Sequence, residues 1–135
     1  MSIVNIPESH ADLVSDKVRA YAYLATSMND GTPQVTPIWF NTDEQYILIN
    51  STQGRVKDKN MRERPQIALA IHDQEKPYRY IQIRGRIVEI KQEGARQHIN
   101  DLSAKYTGNS EYTLNDPNEI RLIYKLLPEK IQVMG

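Results

Sequence analysis

A hairpin signal near the start of the chain is the strongest constraint on its fold. Asn29-Asp30-Gly31 separates two strand-like runs, residues 20–26 and 34–40. Glycine adopts the positive φ that tight hairpin turns need, so the two runs are predicted to pair as antiparallel strands. A turn at 41–43 leads to a third strand at 46–50. Together these segments predict a three-stranded antiparallel meander.

The remainder of the chain is predicted to add three strands. They are residues 67–71, 80–90 and 120–133, the last interrupted at Pro128. In 80–90 the alternation of apolar and polar residues changes phase near Gly85, which predicts a β-bulge or a barrel corner. Hairpin connections with few β-α-β signals predict a mainly β (α+β) fold, a six-stranded antiparallel barrel with short helices at its edges.

Three helices are predicted, at 6–14, 55–64 and 93–106. The first is expected to dock on the sheet through Ala11 and Val14, beside Leu13. The third is expected to end at Gly108 and to bury an apolar stripe at helical spacing. The stripe consists of Ala95, Ile99, Leu102 and Tyr106.

The composition of the 135 residues, 39% hydrophobic and 25% charged, is typical of one folded domain, predicted to span residues 1–135. Apolar runs stay far below the ~20 residues that cross a bilayer. The first residues lack the basic and apolar stretches of a signal peptide, so a cytoplasmic location is expected. The lack of cysteine excludes disulfides, thiolate nucleophiles and iron–sulfur clusters.

Charge is balanced overall but not locally. The formal net charge of zero argues against nucleic-acid binding over the whole surface. Between positions 55 and 64, however, five basic residues outnumber two acidic ones. The basic residues are Arg55, Lys57, Lys59, Arg62 and Arg64.

The basic cluster begins directly after a turn that contains hydroxyls and glycine, Ser51-Thr52-Gln53-Gly54. Cations oppose the dipole at a helix N-terminus, so they are physically reasonable there if an anion binds. A phosphate would accept hydrogen bonds from backbone amides and from Ser51 or Thr52, with Arg55 as a fork and Lys57 as a point charge. The alternative is a solvated surface helix whose charges maintain solubility.

A second candidate segment is residues 32–40. Pro33 and Pro37 within a strand indicate a sheet edge or broken pairing, which leaves backbone groups free for the edge of a flat heterocycle. The alternative is a solvent-exposed edge that proline protects against aggregation. Trp39 and Phe40 are predicted to point to opposite faces, one into the core and one into a groove.

No metal site and no catalytic acid or base is predicted. His10, His72 and His98 lie far apart without the spacing of metal ligands. A nucleophile elbow, a P-loop and a dinucleotide-binding glycine pattern are all missing from the sequence. Tyr78 and His72 are left as candidate donors of a proton to the substrate.

The run Gly54-Arg55-Val56-Lys57-Asp58-Lys59-Asn60, before Arg62 and Pro65, is the most specific motif. With it, the chain resembles the pyridoxamine 5′-phosphate oxidase-like superfamily of FMN-binding split barrels, in particular small members classed as dependent on the deazaflavin coenzyme F-420 (F420). The likeness covers about Leu13 to Glu89. The other matching stretches are 23–26, 30–40, 65–69 and 80–85.

The resemblance implies a split β-barrel and a homodimer with two cofactor sites at the subunit interface. Arg55 and Lys57 would hold the cofactor phosphate, Asn60 would support the loop or the phosphate, and residues 35–37 would run beside the ring. The implied cofactor-binding residues are Val35, Thr36, Pro37, Asn50, Ser51, Thr52, Arg55, Lys57 and Asn60. The arginine-rich C-terminal segment of true pyridoxamine phosphate oxidases has no match, which argues against that substrate.

The predicted function is that of an oxidoreductase. Hydride would pass between the ring of FMN or F420 and a small conjugated substrate, while the protein supplies orientation and electrostatics. The basic cluster slightly favours F420, whose tail is acidic. The alternatives are a non-catalytic FMN-binding or carrier protein, which would bind tightly without turnover, and a nucleic-acid-binding barrel, which neutral net charge disfavours.

Overall fold

The structure is a computed structural model that describes residues 5–135. Residues 1–4, on which the expectation of no signal peptide rests, lie outside the described residues. The strands are β1 (Ala22–Ser27), β2 (Pro33–Ile38), β3 (Phe40–Asp43), β4 (Tyr46–Thr52), β5 (Gln66–His72), β6 (Tyr80–Lys91) and β7 (Arg121–Met134). The helices are a 3₁₀ helix at Glu8–Val14, α1 (Val56–Glu63) and α2 (Ala95–Thr107). No helix within 5–135 is long and apolar enough to cross a membrane.

The strands form one antiparallel sheet in the order β2-β1-β5-β6-β7-β4-β3. Its two edges, β2 and β3, are consecutive in the chain and are separated only by Trp39. In a flat sheet, six strand spacings of about 4.8 Å would hold these edges roughly 29 Å apart. The sheet therefore curls until its edges meet at Trp39, which confirms the predicted antiparallel barrel with flanking helices.

The barrel has seven strands rather than the predicted six. The predicted strand at 34–40 is divided at Trp39, and the predicted turn at 41–43 is part of β3, which pairs with β4. The turn lies one step later, at Glu44, with φ 57°. Asp16 explains the error, since its carboxylate accepts hydrogen bonds from the amide and hydroxyl of Thr42 and holds a turn-favouring sequence extended. The predicted meander is thus wrong, because β4 pairs with β3 and β7 but not with β2.

The predicted irregularity near Gly85 is confirmed by register shifts between β6 and β7. A Cβ atom at Gly85 would overlap the carbonyl oxygen of Leu127, so only glycine permits this close approach. Pro128 pairs with Gly85 at the shift. The predicted interruption at Pro128 is therefore wrong: β7 continues, because a bulge tolerates a residue without an N–H donor.

Two apolar clusters fill the molecule. Alternate strand residues form the barrel core, which includes Leu24, Phe40, Ile49, Leu69, Ile83 and Tyr124. Beneath α2 lies a second cluster of Ile99, Leu102 and Tyr106, with Trp39 and Tyr112 packed against it. The predicted stripe of α2 and the opposite faces of Trp39 and Phe40 are confirmed.

The N-terminal helix packs on the barrel core through Leu13 and Val14, as predicted, but not through Ala11. His10 and Leu13 are buried and Ala11 is exposed. The reason is the 3₁₀ geometry: three residues per turn place positions i and i+3 on one side. His10 also bonds the carbonyl of Met134 through Nε2 at 2.8 Å, which joins the helix to the end of β7.

Candidate functional site

The start of α1 is fixed by Asp58, a buried residue in its first turn. The carboxylate accepts hydrogen bonds from the Gly54 amide at 2.9 Å, the Tyr124 hydroxyl at 2.6 Å and Arg62 Nε at 3.1 Å. Gly54 has φ 93°, which the turn requires. These bonds fasten the helix N-terminus to β7, beneath the basic cluster.

The first amides of α1 are left available. Within the described residues, the N–H groups of Val56, Lys57 and Asp58 have no hydrogen-bond partner, and the first helical bond runs from Lys59 to Arg55. Free amides and the helix dipole together favour an anion at such a position.

A cavity of about 240 Å³ opens beside this helix N-terminus. One side is basic and polar, and the other is aromatic and apolar. No histidine and no carboxylate is among its lining residues. They are Pro37, Ile38, Trp39, Asn50, Ser51, Arg55, Lys57, Ile99, Leu102, Tyr112 and Arg121.

Five of the nine implied cofactor-binding residues line this cavity, namely Pro37, Asn50, Ser51, Arg55 and Lys57. The remaining four lie outside it. Val35 and Thr36 belong to β2, which is an edge strand as its prolines predicted, and Val35 is 65% exposed. The Thr52 hydroxyl lies behind the cavity, where it donates to Glu119 at 2.6 Å.

Asn60 lies within α1 but outside the cavity, and its side chain bonds other protein groups. Its Nδ2 donates to Thr26 Oγ1 at 3.0 Å and contacts Met28 Sδ, and its Oδ1 accepts from Arg64 Nη2 at 3.1 Å. Asn60 is buried, and its carboxamide is occupied by the protein. Of the two roles that the resemblance allowed, this geometry fits support of the helix.

Ser51 carries the only buried side-chain nitrogen or oxygen within residues 5–135 that lacks a hydrogen-bond partner. The residue is 2% exposed and lines the cavity. A buried polar group without a partner costs about 1–3 kcal/mol. A ligand oxygen in the cavity would satisfy the hydroxyl, so the donor set fits a phosphate.

Arg121 is a cavity residue that the sequence reasoning missed. It opens β7, is 5% exposed, and donates to Asn50 Oδ1 at 2.8 Å and Thr52 Oγ1 at 2.9 Å. Its Cζ lies 5.4 Å from the ring centroid of Tyr112. A signal existed in the sequence: an arginine at the head of the apolar run Leu122-Ile123-Tyr124 is unusual unless a partner holds it.

Three cations therefore surround one cavity. Burial lowers the pKa of Lys57 below its ordinary value, and the charges of Arg55 and Arg121 lower it further. A bound anion would reverse these effects by compensating the positive charge. The electrostatics of the cavity favour an anionic ligand.

A histidine backs the polar wall. Asn50 Nδ2 donates to His98 Nδ1 at 3.0 Å, so the neutral ring carries its proton on Nε2 and donates to Asn41 Oδ1 at 2.8 Å. Burial lowers the pKa of His98 to about 4, with Arg121 acting in the same direction and Asp101 against it. A neutral histidine thus orients Asn50, which in turn holds Arg121.

The apolar wall is built on stacked rings. Trp39 lies parallel to Tyr106, with centroids 5.4 Å apart, and meets Tyr112 edge-on at 6.2 Å. Tyr106 is itself anchored, since its hydroxyl donates to the carbonyl of Ala20 at 2.7 Å. Tyr106 is thus a packing residue, and Trp39 and Tyr112 give the cavity a rigid surface suited to a planar ring.

A larger cavity of about 460 Å³ lies elsewhere, across β1, β5, β6 and β7. Its charged residues are Arg84, Lys130 and Glu129, so its positive charge is partly compensated. The smaller cavity, by contrast, is lined by Arg55, Lys57 and Arg121 with no carboxylate, and it opens beside free helix amides. The smaller cavity is therefore the better candidate.

Solved structures of similar fold are known. An F420 reductase of known structure is 28% identical with a TM-score of 0.81, over 94% of this chain and 98% of its own. A conserved hypothetical protein from Mycobacterium tuberculosis is 20% identical, with a TM-score of 0.72 over 95% and 84% of the two chains. General Stress Protein 26 from Bacillus anthracis is 16% identical, with a TM-score of 0.68 over 94% and 92%.

Among curated protein sequences, none matches this chain. Residues 8–135, by contrast, match the sequence pattern of the pyridoxamine 5′-phosphate oxidase family. That match spans nearly the whole described structure, and the split-barrel topology agrees with it. The chain belongs to the pyridoxamine 5′-phosphate oxidase family.

Proposed function

We propose that the cavity binds the phosphate of FMN or F420 and that the protein is an oxidoreductase using this cofactor. The observation that carries the proposal is the convergence of Arg55, Lys57 and Arg121 on a cavity lined by the unpartnered hydroxyl of Ser51. A phosphate accepts hydrogen bonds from all four groups and from the free amides of α1.

When bound, the flavin or deazaflavin ring supplies the hydride chemistry. The chain's own residues bind and orient it. Trp39 and Pro37 would cover one side of the ligand and exclude water, and stacking on Tyr106 keeps Trp39 in place. Asn50 holds the Arg121 guanidinium at the phosphate end.

The identity of the cofactor stays open between two chemistries. The similarity to an F420 reductase along almost the full length of both chains supports F420 as a candidate beside FMN. Both cofactors carry a tricyclic ring and a phosphate, so one basic pocket suits either.

We further propose that a second copy of the chain completes the site. Small-molecule pockets commonly measure ~300–1,000 Å³, whereas this cavity is about 240 Å³. The adjoining outer face is apolar: Val35 pairs with Ala25, and Tyr23 pairs with the cavity residue Pro37. A partner seated there would bury Val35 and Tyr23 and close the cavity.

A non-catalytic flavin carrier is the second candidate. It is favoured by the lining of the cavity, which includes neither a histidine nor a carboxylate to move a proton. A carrier would bind the cofactor tightly but would not use it to reduce a substrate.

The test is a calorimetric titration with FMN, with riboflavin, which lacks the phosphate, and with F420. We expect micromolar or tighter binding of FMN or F420 and much weaker binding of riboflavin. In Arg55→Ala/Lys57→Ala the difference between FMN and riboflavin should vanish. Lys17→Ala/Lys91→Ala removes the same charge from exposed positions outside the basic cluster and is the matched control.

Three outcomes are informative. Equal binding of FMN by wild type and Arg55→Ala/Lys57→Ala would contradict the proposal that these two residues hold the cofactor phosphate. Reoxidation of the bound, reduced cofactor by small conjugated acceptors would establish the oxidoreductase. Tight binding without any such turnover would establish the carrier.

A further inference from the structure

Glu119 is a buried carboxylate bonded to the basic wall of the cavity, yet it does not line the cavity. It lies on the loop before β7, and its side chain is 5% exposed. Oε2 accepts a hydrogen bond from Thr52 Oγ1 at 2.6 Å and one from Arg121 Nη1 at 3.2 Å. The ion pair with Arg121 is therefore almost completely removed from solvent.

The second oxygen of Glu119 holds the preceding loop. Oε1 accepts from the amide of Asn115 at 2.8 Å. Burial alone would raise the pKa of Glu119, but the hydrogen bonds from Thr52, Arg121 and the loop amides lower it. The carboxylate is thus charged at neutral pH, and both of its oxygens are engaged.

Arg121 is held through two of the three nitrogens of its guanidinium group. Nε donates to Asn50, and Nη1 donates to Thr52 and Glu119, whereas Nη2 has no hydrogen-bond partner within the described residues. The Tyr112 ring lies over the guanidinium, with its centroid 5.4 Å from Cζ. Nη2 is therefore the nitrogen of Arg121 that is left to donate to an anion.

We infer that Glu119 is a positioning residue of the anion site: it anchors the Arg121 guanidinium so that the unengaged Nη2 serves the bound phosphate. The inference rests on the proposed function and deepens it. Glu119 itself does not touch the ligand, because it accepts hydrogen bonds from Arg121 and Thr52 behind the cavity.

The sign of a substitution separates this role from simple electrostatics. Removing a negative charge near an anion site strengthens anion binding if the charge acts only through space. Removing an anchor of Arg121 weakens binding, because the guanidinium then loses its orientation. Glu119→Gln nearly preserves shape, but it removes the charge and replaces one accepting oxygen by a donor NH2 group, so the two roles predict opposite results.

The experiment measures the affinity of Glu119→Gln for FMN and for inorganic phosphate by calorimetry at fixed ionic strength. We expect both ligands to bind about tenfold more weakly, since a charge-assisted hydrogen bond is roughly twice as strong as a neutral one. Riboflavin should bind as it does to wild type. Glu129→Gln is the matched control, because it breaks an exposed ion pair between Glu129 of β7 and Arg86 of β6.

A double-mutant cycle completes the test. In an Arg121→Ala background, Glu119→Gln should no longer weaken binding, because there is no guanidinium left to orient. Unchanged or tighter FMN binding by the single variant Glu119→Gln would overturn the inference. So would an equal loss with and without Arg121.

Two further measurements keep the result unambiguous. If Glu119→Gln does not fold, Thr52→Val removes the neighbouring anchor, keeps the carboxylate and should weaken binding in the same direction. If wild type binds phosphate but not FMN, the cofactor proposal fails while the role of Glu119 is still tested with phosphate. If wild type binds neither ligand, both proposals fail.

Discussion

Two arginine clusters in this molecule differ in how their charge is compensated. Arg79 bonds Asp12, Asp73 and the carbonyl of Ser9, so one cation meets two carboxylates. The hydrogen bond from Arg79 lowers the pKa of Asp12, and the bond to Asp12 raises that of Arg79. This cluster, the Arg79 clamp, ties the N-terminal helix to the loop between β5 and β6.

The cavity has the opposite balance. Of the three cations that line it, Arg55, Lys57 and Arg121, only Arg121 forms an ion pair within the described residues, with Glu119. Burial, and after it the charges of Arg55 and Arg121, lower the pKa of Lys57. The clamp is thus complete within the protein and structural, whereas the cavity lacks negative charge that a ligand would supply. Uncompensated charge, more than charge itself, marks the binding site.

The largest expected effect is on affinity. Arg55→Ala/Lys57→Ala removes two charge-assisted hydrogen bonds of about 2 kcal/mol each, so FMN should bind about a thousandfold more weakly. The melting temperature should not fall, because the substitution relieves repulsion. Titration with FMN and a thermal melt of the same sample check both statements, and a large loss of stability would contradict them.

The second effect is on acid stability. The folded pKa of His98, about 4, lies below its ordinary value of 6.5, so the unfolded state binds more protons between these limits. The contribution of His98 is full above pH 6.5 and falls by about 3 kcal/mol as the pH drops to 4. Denaturant unfolding across this range should show a flatter profile for His98→Gln than for wild type, and equal slopes for the two proteins would contradict this account of His98.

On acidification, the Arg79 clamp should lose its contribution to stability at a lower pH than His98 does. The folded pKa values of Asp12 and Asp73 are lowered, so their contribution is present above their ordinary value of 3.8 and is lost only as the pH falls below it. Arg79→Ala should lower the melting temperature at pH 7 and leave FMN affinity within about twofold. A large loss of affinity in this variant would erase the distinction between the two clusters.

The smallest expected effect is the number of protons that the protein takes up when FMN binds. Binding of an anion favours charged Lys57, so FMN binding should take up a fraction of a proton as the pH approaches the lowered pKa of this lysine. Affinity should then decline with rising pH before the ordinary value of 10.5 is reached. Calorimetry in buffers of different ionisation heat measures the uptake, and Lys57→Arg should abolish it.

The sequence predicted those features that depend on local periodicity. The stripe of α2, the edge position of the proline-containing β2 and the irregularity at Gly85 all follow from residue spacing. The prediction of a turn at 41–43 was wrong because Asp16, distant in sequence, holds Thr42 in a strand. The 3₁₀ geometry of the first helix likewise depends on packing rather than on its composition.

The site was predicted only in part, because some of its residues are close in sequence and others come together only in the fold. Arg55 and Lys57 share a local motif with the turn that precedes α1, so the sequence places them together. Arg121 joins them only because β7 pairs with β4 in antiparallel register, Arg121 opposite Thr52. Such a contact between distant segments leaves no periodic signal in a single sequence.

The most direct test of the central claim is a crystal structure of the protein with FMN bound. We predict the phosphate at the N-terminus of α1, with an oxygen within hydrogen-bond distance, about 2.5–3.0 Å, of Ser51 Oγ. Arg55, Lys57 and Arg121 should contact the other oxygens. FMN bound elsewhere, or a phosphate in the cavity that leaves Ser51 without a partner, would contradict the account.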